Sequence, residues 1–354
     1  MRRGFESASG KRPSTGGEEA VMMTATTSRS AVANPGGFAR RLKRDFPDIC
    51  RLNEPLAPYT SYRVGGPADV LVVPERVEEL EQIVRRCLQE SVPYFILGKG
   101  ANILVHDAGF RGVVILLEKC CHQLFHRNGM LYVGAGVTVK ELVEYCEAEG
   151  LAGLDYMSGI PGTVGGALTM NAGAFVGEIG DRVLRIDALD EQGRRVQISR
   201  EEARFGYRRA DGLKGKVLLG CWLAVEPGDP EKLRRARQEY LRRRAEKQPL
   251  EYPSCGSVFK RPPGDYAGRL IEAAGCKGLT VGGAMVSPKH ANFIVNFRRA
   301  TAGDIYHLIC RVQQRVYAHS GVWLEPEVKL VGFSEAERRR TEAPPAGENR
   351  GGGS

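Results

Sequence analysis

Two glycine-rich segments and three separated polar residues are the parts of this 354-residue chain whose types and spacing can do chemistry. The first segment is Gly98-Lys99-Gly100-Ala101-Asn102-Ile103-Leu104-Val105. Small residues there let backbone amides approach an anionic ligand, and glycines at positive φ point successive N–H groups inward as an anion nest. The spacing is not G-x-G-x-x-G, and no acidic residue about 20 positions on completes a dinucleotide fingerprint. A tight turn between strands therefore explains this segment equally well. The second runs from Ser158-Gly159-Ile160-Pro161-Gly162-Thr163-Val164-Gly165-Gly166-Ala167 into Met170-Asn171-Ala172-Gly173-Ala174. Five glycines in sixteen residues cost more backbone entropy than a mere connection warrants, and close contact with a large flat or diphosphate ligand is the better reading. The polar residues sit in Tyr207-Arg208, in Cys255-Gly256-Ser257-Val258-Phe259-Lys260-Arg261-Pro262 and in Leu324-Glu325-Pro326-Glu327-Val328. Taken singly, an arginine, a serine and a glutamate are usually surface or structural. Ser257 lacks the G-x-S-x-G elbow of a hydrolase, and no adjacent base marks Cys255 as a nucleophile.

The elements that must position these groups are readable from periodicity. Ala68–Val73 and Tyr94–Leu97 read as strands, with a helix from Val77 to Glu90 between them that presents Leu80, Ile83, Val84, Cys87 and Leu88 on one face. Strands follow at 113–117 and 131–134, then a helix begun by Thr138 with Glu141 three residues on, a capping box that satisfies free amides. Ser199 and Glu202 repeat the device among strands at 183–189, 194–198 and 216–225. A long basic helix at 231–247 is bounded by Pro230 and Pro249, and its alternating charges read as a solvated face. The region from 250 closes with a helix at 303–319 and a strand from Glu327 to Val331.

Composition narrows the partners. Lys and Arg exceed Asp and Glu by nine, but residues 1–45 and 231–247 together hold that whole surplus, so the nearly neutral body of the chain is a poor match for a nucleic-acid groove. No apolar run reaches the roughly 18–20 residues of a membrane span, and no secretory leader is evident. The nine scattered cysteines form no C-x-x-C pair, so neither a disulfide framework nor a metal site is signalled and a reducing cytosol fits. Residues 1–37 read as a disordered extension. Its acid-free stretch from Ala20 to Arg44 leaves an organelle transit peptide as a second reading, and Met22 or Met23 as an alternative start. Residues 335–354 read as a disordered tail.

The ordered set of motifs resembles the UDP-N-acetylenolpyruvoylglucosamine reductase family, flavoenzymes that form UDP-N-acetylmuramate for peptidoglycan. It runs from Thr60-Ser61-Tyr62-Arg63-Val64-Gly65-Gly66-Pro67-Ala68 through both glycine blocks, Tyr207-Arg208 and Gly256 to Pro262. It continues through Gly282-Gly283-Ala284 and His290-Ala291-Asn292-Phe293 to Leu324–Val328. The short spacing between Arg208 and Ser257 looks like the shorter, type II, subclass. The resemblance implies an α/β (α+β), vanillyl-alcohol-oxidase/PCMH-type FAD fold: lobe 1 at 38–112, lobe 2 at 113–228, and a smaller α+β substrate-binding domain at 229–334.

It also implies roles. Noncovalent FAD would lie between the lobes, its diphosphate at Gly98, Lys99, Gly100, Ala101 and Asn102. Gly159, Ile160, Gly162, Thr163, Gly165, Gly166, Asn171, Ala172, Gly173 and Ala174 would line the rest. NADPH would reduce FAD and leave; hydride would then pass from flavin N5 to C3 of the enolpyruvyl sugar nucleotide. Arg208 and Glu327 would stabilise charge on the substrate carboxylate, and Ser257 would protonate C2. Glu325 is the rival carboxylate. Tyr207, Lys260 and Arg261 would hold substrate, with Lys277 and Lys289 as weaker phosphate candidates and His290 read as structural. The resemblance implies a cytoplasmic monomer working in cell-wall biogenesis, cell shape and division. Its alternatives are an oxidase of the same cofactor fold acting on an alcohol or sugar, and a nonenzymatic module binding nucleotide or nucleic acid through 231–247.

Overall fold

The computed structural model describes residues 35–174 and 176–344. Helix α1 (Pro35–Asp45) opens the described chain, so residues 35–37 are helical rather than part of a disordered extension; 1–34 lie outside the described residues. Phe38, Ala39 and Leu42 explain the helix, since all three are buried on one face. The first sheet has the strand order Cys50–Pro55, Pro67–Val72, Phe110–Leu116, Tyr94–Leu97; the first pair is antiparallel and the other two are parallel. Helix α2 (Val77–Gln89) buries Leu80, Ile83, Val84 and Cys87, while Leu88 is only half-buried against the core.

The strand Phe110–Leu116 starts three residues earlier than the sequence suggests, and the expected lobe boundary between 112 and 113 falls inside it. Between Ala68–Val70 on one strand and Phe110–Val113 on its neighbour the register gains one residue, a β-bulge around Arg111-Gly112. Gly112 has φ +149, and a Cβ there would lie 2.1 Å from the Pro93 carbonyl oxygen, so the glycine carries the strand through the bulge instead of starting it. The strand itself runs on to Leu116.

Lobe 2 is a five-stranded antiparallel sheet ordered Arg195–Ser199, Val183–Leu189, Val217–Ala224, Met130–Gly134, Leu124–Arg127. Helix α3 (Val139–Ala148) packs beneath it, and its Thr138/Glu141 capping box is formed; so is the Ser199/Glu202 box at α5 (Arg200–Ala203). One continuous core joins Val70, Val72, Val113 and Ile115 of the first sheet to Val133, Leu142, Ile186 and Cys221 of the second lobe. The two lobes are halves of one packed body.

Helix α6 (Pro230–Lys247) leads to the C-terminal domain. Only Leu233 of α6 is buried, and Glu239 pairs with Arg242 and Arg243, in keeping with a solvated face. Helix α7 (Ala267–Ala273), a three-stranded sheet (Thr280–Val281, Ala284–Val286, Ile294–Asn296) and helix α8 (Ala302–Ser320) share a core that also takes in Tyr62, Val64 and Leu104 from lobe 1. The expected strand from Glu327 shortens to Lys329–Val331 because the segment changes neighbours. Lys260 N–H donates to Glu325 O (2.9 Å) and Glu327 N–H to Val258 O (2.7 Å), after which Lys329–Val331 pairs in parallel with Ile103–Val105. The tail at 335–354 is not wholly disordered. Glu335–Glu342 forms helix α9, capped by Ser334 and Glu337, and the Thr341 carbonyl accepts from Gln313 Nε2 (2.6 Å) and Trp323 Nε1 (3.1 Å). Those two donors tie down a segment whose charge alone reads as solvated. Residues 345–354 lie outside the described residues.

Candidate active site

Both lobes and the C-terminal domain meet at a cleft of about 910 Å³, the upper range for ligand sites. Its walls include Gly98, Lys99, Gly100, Ala101 and Asn102 from lobe 1. Lobe 2 contributes Gly159, Ile160, Gly162, Thr163, Gly165, Gly166, Ala172, Gly173 and Ala174 together with Arg208; Ser257 and Glu327 come from the C-terminal domain. Residues spread over 230 positions of sequence thus face one space.

The glycines serve two different ends. At Gly100, φ is +58 and a Cβ would come within 2.4 Å of Tyr59 O, so the residue is required by the backbone packed behind it. Gly162, at φ +127, would place a Cβ in open space with only Ala101 Cβ at 3.9 Å, so there the backbone itself faces the cleft. Asn171 departs from its expected role. It does not line the cleft: buried at φ +42, its Nδ2 donates to Gly206 O (3.1 Å) and Glu178 Oε2 (2.6 Å), and its Oδ1 accepts from Gly180 N (3.0 Å). A short side chain that tolerates left-handed backbone and offers both donor and acceptor braces the wall from behind.

Arg208 and Glu327 come together, with Nε 3.0 Å from Oε1. The Arg208 N–H does not lie along that line, so Nε remains a buried donor with no hydrogen-bond acceptor, and Nη2 makes only a long contact to Gly173 O (3.5 Å). Arg208 also has φ +57, a conformation a non-glycine residue keeps only where its surroundings impose it. Burial pushes the Glu327 carboxyl above its ordinary range, against the opposing pull of Arg208 and Lys260. Glu325 is exposed and bound to Lys260, which settles which carboxylate faces the cleft. Ser257 follows Gly256, at φ +74, and lies on the cleft wall.

The expected substrate residues sit outside this inner wall. Tyr207 is half exposed beneath the Arg208 guanidinium, Lys260 holds Glu325, and Arg261 lies 4.0 Å over the Tyr266 ring. Lys277 pairs with Glu272, and Lys289 Nζ donates to Ala245 O (2.6 Å). His290 Nδ1 accepts from Asn292 N, a structural contact, and burial lowers its pKa. Cys255 Sγ points to Ile103 O (3.2 Å), and burial raises its thiol pKa to about 12.

Sequence reasoning missed four cations on the wall: Arg63, Lys216, Arg244 and Lys329. Lys329 had a signal, because alternation from Glu327 puts it on the same side of the segment. Arg244 had none; the charge pattern of α6 hides that Arg244 turns inward and donates from Nε to Ser158 O (2.9 Å).

A family model described as UDP-N-acetylenolpyruvoylglucosamine reductase, C-terminal domain, matches residues 248–331, and an FAD binding domain model matches 68–199. The UDP-N-acetylenolpyruvoylglucosamine reductase of Alkalilimnicola ehrlichii is 45% identical over 294 residues, 83% of this chain and 98% of its own. That of Caldanaerobacter subterraneus is 44% identical over 79% of this chain and 93% of its own. The crystal structure of the Thermus caldophilus enzyme, 38% identical, superposes with a TM-score of 0.69 over 80% of this chain and 98% of that one. The chain belongs to the UDP-N-acetylenolpyruvoylglucosamine reductase family. Its fold is the two-lobed, vanillyl-alcohol-oxidase-type FAD fold with an added α+β domain, and FAD is its cofactor. The cleft suits that cofactor: glycine backbone is open to it at Gly162, and Arg208 Nε waits without an acceptor. Among the described residues no helix is long and apolar enough to cross a membrane.

Proposed function

We propose that the cleft reduces UDP-N-acetylglucosamine enolpyruvate to UDP-N-acetylmuramate through Arg208, Glu327 and Ser257, with FAD held by the glycine segments. The carrying observation is the Arg208–Glu327 pair at 3.0 Å on the same wall as Ser257, facing those segments. FAD, when bound, would supply the hydride, drawn from NADPH, that reduces C3 of the enol ether. The chain's task is then to lower the cost of negative charge growing at C2 and the attached carboxylate. Arg208, permanently protonated, offers its unspent Nε–H to that carboxylate. Glu327, protonated over a wider pH range than an exposed glutamate, shares the charge as an acid and holds the guanidinium in place. Ser257 donates its hydroxyl proton to C2, feasible for so weak an acid because the developing carbanion is a strong base.

Gly98 to Asn102 would hold the diphosphate, and residues 159–166 with Ala172, Gly173 and Ala174 would line the remainder of FAD. The cleft lining includes no histidine, and its one cysteine, Cys255, points into the protein, which supports noncovalent FAD. Tyr207 closes the mouth, and Lys260 and Arg261 exchange their present partners for substrate anions. The reading includes a monomeric working unit of the shorter subclass. Nine thiols without a disulfide support a cytoplasmic setting. The test is Ser257→Ala. NADPH should still bleach the flavin anaerobically at the wild-type rate, while reoxidation by the enolpyruvyl substrate falls by several orders of magnitude. Unchanged reoxidation would remove Ser257 from the reaction.

A further inference from the structure

Asn102 lines the cleft at the end of the lobe 1 glycine segment, yet its side chain is committed to another domain. Its Nδ2 donates to the Glu327 carbonyl oxygen at 3.1 Å, across 225 positions of sequence. That bond stands where a ladder bond would otherwise be. The strands Ile103–Val105 and Lys329–Val331 run parallel, with Lys329 opposite Ile103 and the Lys329 N–H donating to Asn102 O (3.0 Å). Bonds in a parallel ladder recur evenly, so the donor next in line for Glu327 O is the Asn102 backbone N–H. The side-chain amide takes that rung instead, and among the described residues the Asn102 backbone N–H has no acceptor. One residue thereby lengthens the seam between lobe 1 and the C-terminal domain and keeps its main-chain donor unspent beside the cleft, where an anion can satisfy it.

Glu327 is the residue at which the segment changes neighbours. Its N–H donates to Val258 O (2.7 Å), one position beyond Ser257, so its amide side belongs to the C-terminal domain. Its carbonyl side is tied to lobe 1 by Asn102, and its carboxylate meets Arg208 of lobe 2 with Oε1 3.0 Å from Nε. The turn that carries Asn102 is itself firmly seated. Gly100 O accepts from Ser61 N (3.1 Å), and the Gly100 backbone packs directly on Tyr59 and Thr60. A fixed turn thus holds one end of the Glu327 residue and a fixed loop the other, which sets where its side chain starts. Misplacing a reacting group by about 1 Å can cost about 10²-fold in rate. We infer that the Asn102 side chain is a positioning residue for Glu327, serving reduction of the sugar nucleotide rather than retention of FAD.

The inference rests on the reading that Glu327 assists reduction of the enolpyruvyl sugar nucleotide. Its test is Asn102→Ala in the holoenzyme, which removes Nδ2 and keeps the backbone amide that the diphosphate would meet. FAD affinity and anaerobic flavin reduction by NADPH should stay within about twofold of wild type, while reoxidation by saturating sugar nucleotide slows about 10–100-fold. Glu327→Ala slows the same step, and adding Asn102→Ala to it should slow it little further, because nothing is then left to position. Asn102→Ser, whose side chain is too short to reach that carbonyl, repeats the measurements if the alanine variant does not fold. Lost FAD affinity with normal reoxidation of the loaded variant would give the side chain to the cofactor and overturn the inference. Unchanged reoxidation, or losses that multiply in the double variant, would overturn it too. Wild-type protein whose reduced flavin the sugar nucleotide does not reoxidise would overturn the functional reading instead.

Discussion

Gly98 and Thr163 face each other across the two lobes, and the pair yields a double-mutant prediction. The Thr163 hydroxyl caps helix α4 (Val164–Thr169), accepting from Gly166 N at 3.4 Å. A Cβ at position 98 would stand 2.6 Å from Thr163 Oγ1, 3.3 Å from Cγ2 and 3.5 Å from Cβ. Gly98→Ala therefore forces the threonine off its cap, and overpacking of this kind costs about 1–3 kcal/mol. Thr163→Ala alone loses the cap, about 1 kcal/mol. In the double variant both the hydroxyl and the methyl are gone, leaving only the 3.5 Å contact, which is ordinary van der Waals distance. Gly98 does not have positive φ, so alanine there also reduces unfolded-chain entropy by about 0.4–1 kcal/mol. The double variant should be no less stable than Thr163→Ala, giving a favourable coupling of about 1–3 kcal/mol. Urea unfolding of the three variants measures it, and flavin fluorescence titration should show FAD affinity lost in Gly98→Ala and largely recovered in the double variant. Additive losses would refute the argument that the side chains collide.

The Asn171 brace predicts that Asn171→Ala, by leaving Gly180 N and Gly206 O unpaired, costs about 1–3 kcal/mol per buried group in denaturant unfolding; unaltered stability would dismiss the brace. Burial raises the Glu327 pKa, so the sugar-nucleotide half-reaction should slow as pH rises through that elevated value while NADPH reduction does not. Glu327→Gln should be slower and lose that limb, and a wild-type profile flat across it would exclude the protonated acid. On α6, Arg242→Ala with Arg243→Ala should leave turnover within about twofold and the unfolding midpoint essentially where it was, because both arginines pair only at the surface. Arg244→Ala should weaken FAD binding by releasing Ser158 O, next to Gly159 of the cleft wall, and equal behaviour of the two variants in cofactor titration would undo the distinction.

Much of this was legible where local pattern and tertiary role coincide. The α2 stripe, the Thr138 and Ser199 boxes and the strand Tyr94–Leu97 follow from periodicity and capping, which neighbours do not override. The long motifs placed Arg208, Ser257 and Glu327 together before any geometry did. What sequence could not show is where neighbours change. Gly112 looks like the end of a loop but is a bulge inside a strand, and Glu327–Val331 looks like one strand but serves two partners in turn. Arg244 and Arg243 are adjacent and chemically identical, and only the packing of α6 on Gly159 distinguishes them. Glycine content was informative in a mixed way: Gly162 opens onto the cleft, whereas Gly100 answers to Tyr59 and Thr60 behind it.

The parallel pairing of Lys329–Val331 with Ile103–Val105 also bears on the order in which the molecule is made. Asn102 and Lys329 are separated by most of the chain, yet the loop that ends at Asn102 is held by carbonyl and amide groups of the last strand. During synthesis at about 5–20 residues per second, lobe 1 waits more than ten seconds for that strand, a long interval beside loop closure and hairpin formation. The cofactor site is therefore completed only once Lys329–Val331 has been made, rather than as the FAD lobes emerge. A chain stopped short of Val331 would have every glycine of the cleft and still lack the clasp that holds the first of them in place.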